Sequence, residues 1–132
     1  MARFIKVPLF DIYDEDTDTW AGEDQWWTEG ELVYLSDIND TLVTVPDNFQ
    51  TDLASIPRWP PFFRAALLQN GHHRPAAVVH DYLCRQAKSR ADRKLADRIF
   101  LEAMLLRGVT RWKAKAMYAA VRLAGSLKRY PK

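Results

Sequence analysis

The chain has 132 residues, a formal net charge of +2, 48% apolar residues and one cysteine, Cys84. That length and composition fit one globular domain and exclude a disordered chain, and the lone cysteine excludes an internal disulfide. No apolar run approaches the roughly 18–20 residues of a membrane span, and Met1-Ala2-Arg3-Phe4-Ile5-Lys6 lacks the apolar stretch of a secretory signal, so a soluble protein made in the cytosol is expected.

The small net charge hides a strong asymmetry. Residues 1–57 hold two bases and 13 acids, whereas residues 58–132 hold 17 bases and only four acids, Asp81, Asp92, Asp97 and Glu102. The second half either offers a surface to nucleic acid or an anionic membrane, or packs on the first so that the two partly neutralise each other. The bases are spread around helices rather than clustered, so nucleic acid is not the expected partner.

From Arg3 to Tyr13 the chain has strand character. The acidic stretch 14–30, with Trp20, Trp26 and Trp27, shows no clean period and reads as a long loop, with or without a short strand. Its tryptophans either cap the core or offer an aromatic contact surface for a partner or lipid headgroups. Glu31–Leu35 and Thr41–Val45 read as a hairpin, with turn chemistry in Ser36-Asp37-Ile38-Asn39-Asp40. Phe49 to Ile56 is extended and leads into Pro57-Arg58-Trp59-Pro60-Pro61.

Helices follow. Phe62–Gln69 is short and stops at Asn70-Gly71, and Pro75 opens a second helix to about Lys88. Ser89 with Asp92 resembles a capping box for a third, which runs to Arg107 and stops at Gly108. Thr110 starts a fourth, to about Leu123, ended by Gly125. Trp112, Ala116, Ala119 and Leu123 share one stripe of it. Strands first and helices second predict an α+β fold, an N-terminal antiparallel hairpin region packed on a bundle of three to four helices, in one domain spanning 1–132.

The second and third of these helices carry the candidate site. On a wheel, His80 falls among Ala76, Ala77, Leu83, Cys84 and Ala87 and points inward, while Asp81 lies about 100° round, nearer a boundary. Asp97 precedes Phe100, Leu101 and Met104 on its own apolar face. The tight turn makes the two helices antiparallel. His80 stands nine residues before Ser89 and Asp97 eight after. At about 1.5 Å per residue their side chains lie at matching heights, so a His80–Asp97 contact is expected. Such a pair can orient an imidazole as a general base, or can simply clamp two helices. Asp52, in Thr51-Asp52-Leu53-Ala54-Ser55-Ile56-Pro57-Arg58, could join Asp81 and backbone carbonyls around calcium, or could hold a turn by local hydrogen bonds. His72, His73, His80, Asp81 and Cys84 are zinc-compatible types, but their spacing matches no standard zinc motif.

The motifs Thr51–Arg58, Ala76-Ala77-Val78-Val79-His80-Asp81-Tyr82-Leu83 and Ala96-Asp97-Arg98-Ile99-Phe100-Leu101-Glu102-Ala103-Met104 resemble an uncharacterised family of small bacteriophage and prophage proteins, a domain of unknown function. The resemblance spans about Val45 to Leu123 and implies phage origin without naming a reaction. A more distant local likeness is to the small secretory phospholipases. It implies His80 as base, Asp97 as its orienting acid, Asp81 as a calcium ligand and Asp52 as a loop ligand.

Three functions fit these features. One is a virion-associated component of a tail or baseplate, or an accessory protein, contacting other phage structural proteins. Another is a calcium-dependent hydrolase of lipid or envelope ester bonds, in contact with membrane lipid. The third is an intracellular inhibitor that binds a host factor through its acidic, tryptophan-rich face. The expected location is the host cytoplasm, or the virion.

Overall fold

A computed structural model describes residues 1–12, 26–51, 74–127 and 129–130. Among the described residues strands precede helices, as the pattern predicts: six short strands, then three long helices, an α+β arrangement. The strands are β1 (Arg3–Lys6), β2 (Leu9–Ile12), β3 (Trp26–Glu29), β4 (Leu32–Leu35), β5 (Leu42–Val45) and β6 (Gln50–Thr51). They form two antiparallel three-stranded sheets, ordered β1-β4-β5 and β2-β3-β6.

The stretch with strand character that begins at Arg3 is divided into β1 and β2, one in each sheet. Pro8 sits at the break, where a residue without an N–H cannot continue a ladder. The return strand breaks opposite it at Gly30, whose φ is +110° and where an added Cβ would lie 3.6 Å from Pro8 Cβ. β1 pairs with β4 and β2 with β3, so one long hairpin bends at Pro8 and Gly30 to feed both sheets. β3 is the short strand within the acidic stretch. Buried Thr28 ties it to the segment ahead of β6: its Oγ1 donates to Pro46 O at 3.1 Å and accepts from Phe49 N at 2.9 Å.

The expected hairpin is β4–β5, with Leu32 opposite Val45 and Leu35 opposite Leu42. Asn39 and Asp40, both at positive φ, make its turn, as short polar side chains tolerate this conformation. Leu32, Tyr34, Val43 and Val45 point from this pair into the core.

The helices are α1 (Arg74–Gln86), α2 (Arg90–Leu106) and α3 (Arg111–Leu127). α1 packs on β4, β5 and β6, α2 packs on α1, and α3 packs on α2. The first turns of α1 have no polar face, since every residue from Pro75 to Asp81 is buried. α2 ends as predicted at Gly108: Gly108 N donates to Leu105 O at 3.1 Å and Val109 N to Met104 O at 3.0 Å, which satisfies carbonyls that the last turn leaves open.

One expectation about α3 is corrected. Gly125 does not end it; the helix continues to Leu127 with Gly125 buried inside it. The inward stripe is Ala114, Met117, Val121 and Gly125, and the stripe of Trp112 and Leu123 faces solvent. Small residues let α3 approach α2 closely, and that approach, not side-chain size, decides which face is buried.

Candidate functional site

Ser89 and Asp92 set the α1–α2 turn. Ser89 Oγ accepts from Asp92 N at 3.1 Å, and Asp92 Oδ2 accepts from Lys88 N at 3.0 Å, so each side chain satisfies an open amide. The helices run back along each other, and His80 meets Asp97 where the residue count places them. His80 Nε2 lies 2.6 Å from Asp97 Oδ1, with both side chains 0% exposed. Phe100 stacks on the imidazole, ring centroids 4.6 Å apart at 30°.

Asp97 holds more than the histidine. Arg93, one turn earlier on α2, donates from Nε to Oδ1 at 3.0 Å. Its Nη2 donates to Val121 O of α3 at 3.1 Å. Arg122, also on α3, donates from Nη1 to Oδ2 at 2.7 Å. One carboxylate therefore joins all three helices. Gly125 closes over it: an added Cβ would lie 3.0 Å from Arg93 Cγ and 3.2 Å from Asp97 Oδ2. The reading from residue pattern missed Arg93, Arg122 and Gly125. The i, i+4 spacing of Arg93 and Asp97 was the usable signal.

Burial pushes the His80 imidazole below its ordinary pKa, against the hydrogen bond and charge of Asp97, and the nearby Arg93 guanidinium adds to the depression. Burial alone would raise the Asp97 carboxyl, but the His80 hydrogen bond and the Arg93 guanidinium outweigh it and hold Asp97 below the usual carboxylate range. We take His80 as neutral, because two guanidinium groups already neutralise Asp97 and a third buried cation would be uncompensated. Its Nε2–H then donates to Asp97.

Cys84, one turn after His80, places Sγ 3.4 Å from the same Nε2. A thiol nucleophile and an orienting acid should engage different ring nitrogens, so this is not a Cys–His–Asp triad. His80, Cys84 and Asp97 are close enough to be considered as a metal group. Two ligand atoms on one zinc stand about 3.3 Å apart, however, and the 2.6 Å nitrogen–oxygen contact is a direct hydrogen bond with no room for an ion.

Asp81 is buried rather than at a boundary, at 2% exposure, and forms an ion pair with Arg85, Nη2 to Oδ2 at 3.0 Å. Arg85 also donates from Nη1 to Gln50 O at 2.7 Å and lies over the Phe49 ring. Asp81 thus lies beside the strand that leads to Asp52. Asp52, His72, His73 and the expected helix 62–69 fall outside the described residues.

No solved structure shows a significant match to the chain. Over 97 residues it is 39% identical to the Uncharacterized protein y4jT of Sinorhizobium fredii, an alignment that covers 69% of this chain and 26% of that protein. The chain thus spans about a quarter of the length of this relative. A family model described as Protein of unknown function (DUF1353) matches residues 26–121, and the chain belongs to that family.

Proposed function

We propose that the chain is a bacteriophage accessory or virion-associated component, of tail or baseplate type, that works by binding, with its His80–Asp97 centre serving as a clamp between helices. The carrying observation is the state of Asp97. Both its oxygens are engaged, by His80, Arg93 and Arg122, in a cluster withdrawn from water. A base for turnover needs a solvent path and a proton acceptor of tuned strength. A neutral, buried imidazole stacked on Phe100 suits rigidity better. The phage assignment rests on the resemblance of the three motifs. Mass spectrometry of purified particles from a phage that encodes the chain tests it: the protein should appear there at a fixed ratio to tail proteins, and absence from the particle removes the virion role.

One observation favours a second reading, a hydrolase of ester bonds. The Asp97 carboxylate against Nε2 is a contact of the kind that would orient His80 as a general base. Arg85 already neutralises Asp81, so calcium at Asp81 and Asp52 would have to displace a guanidinium. Ester hydrolysis assayed with and without calcium separates the readings. Loss of activity in a folded His80→Ala variant supports the enzyme, and no activity in the wild type rejects it.

A further inference from the structure

We propose, beyond the reading above, that the outer face of α3 docks on an anionic lipid surface. The inner stripe of this helix is spent on α2. Its opposite stripe, Trp112, Ala116, Ala119, Leu123 and Leu127, has helical spacing, and its three large members are 66%, 64% and 77% exposed. Scattered apolar side chains at a surface are ordinary, but three large ones aligned along a single helix are a ridge. From Trp112 to Leu127 that ridge is about 22 Å long at helical rise.

Charge identifies what fits the ridge. Residues 103–132 contain eight Lys or Arg and no Asp or Glu. Lys113 and Lys115 flank the ridge, and the Lys113 ammonium lies 5.7 Å from the Trp112 ring centroid. A second copy presenting the same face would bring two acid-free surfaces together, which like-charge repulsion opposes. Nucleic acid would satisfy the cations but leave Leu123 and Leu127 without partners. An anionic bilayer satisfies both: headgroups meet the lysines while Trp112, Leu123 and Leu127 enter the boundary between headgroup and acyl chain. Among the described residues no helix is long and apolar enough to cross a membrane. With its inner face held by α2, α3 lies on the surface rather than through it.

Sedimentation of the full chain with vesicles tests this, using phosphatidylcholine alone or phosphatidylcholine mixed with phosphatidylglycerol. Binding should need the anionic lipid and should fall by roughly tenfold or more when salt screens the headgroups. Trp112→Ser with Leu123→Ser should weaken binding by a further factor of roughly ten or more. These side chains are exposed, so the thermal melt of the double variant should match the wild type, and a matched melt shows that lost binding is not lost fold. Equal binding to both vesicle types, unchanged binding of the double variant, or a solution dimer that the double variant dissociates would overturn the proposal.

Discussion

Gly125 of α3 lies directly against Arg93 of α2, so closely that a single added carbon would come 3.0 Å from Arg93 Cγ and 3.1 Å from its Nε. Arg93 cannot step aside, because Nε is held by Asp97 and Nη2 by Val121 O. Alanine inside a helix gains up to about 1 kcal/mol over glycine, whereas overpacking a fixed neighbour costs about 1–3 kcal/mol. Gly125→Ala should therefore lower the melting temperature despite its better helix propensity. A rise in melting temperature would mean that α3 moves off the cluster without cost.

Removing the charge on Asp97 should be the most damaging change in the cluster. Asp97→Asn leaves the Arg93 guanidinium buried without its counter-charge, a loss of about 3–5 kcal/mol. His80→Ala deletes one hydrogen bond and a ring stacked on Phe100, about 2–4 kcal/mol. Arg122 is partly exposed, so Arg122→Ala should cost less, of the order of 1 kcal/mol, because its head returns to water. Urea titrations of the three variants check this order. If Asp97→Asn proved the mildest of them, the carboxylate could not be what joins the helices.

The cluster also sets a pH dependence. His80 takes up a proton less readily folded than unfolded, so its contribution to stability is complete above the unfolded value near 6.5 and declines as pH falls below it. Asp97 is likewise held below its unfolded value near 3.8, and its contribution is lost as pH falls through that range. Both act in one direction, because the unfolded chain binds more protons. Below the unfolded value, stability should fall by at most about 1.4 kcal/mol per pH unit from the His80 proton alone, until the folded imidazole itself takes up the proton. The chain has two other histidines, so the quantity to measure is the difference from His80→Gln, whose amide can still donate to Asp97. A wild-type slope identical to that of the variant would show that His80 is not held neutral by the fold.

Local rules explain what could be read from residues alone. Ser89 and Asp92 mark the α1–α2 turn, and a constant helical rise converts sequence distance from that turn into height, so His80 opposite Asp97 followed from counting. The partners of Asp97 did not. Arg93 and Arg122 stand in a segment with 17 bases, and nothing local separates a buried arginine from a solvated one. Gly125 reads as a helix stop because glycine commonly has that role, whereas here it permits contact between helices. The stripe of Trp112 and Leu123 is legible from its spacing, but which stripe of α3 meets α2 is set by the close approach of the two helices. Pro8 splits the first strand because it serves two sheets, and sheet assignment depends on partners distant in sequence.

The four acids of the basic half each have a separate partner, and Glu102 supplies the remaining test. Its Oε1 accepts from Tyr34 Oη at 2.5 Å and its Oε2 accepts from Asp37 N at 3.2 Å, which ties α2 to β4 and to the hairpin turn after it. Burial raises the Tyr34 phenol, and the Glu102 hydrogen bond and charge raise it further, beyond the range in which tyrosines ionise. Tyr34→Phe should cost about 1.5 kcal/mol, at the low end for a bond to a charged acceptor because half-buried Glu102 regains water. An absorbance titration distinguishes this from a packing effect. The chain has five tyrosines, and Tyr34→Phe should leave the ionisation amplitude unchanged until the protein unfolds in alkali, since Tyr34 contributes nothing to it while folded. A drop in that amplitude would show that the phenol ionises in the folded protein and that Glu102 does not hold it.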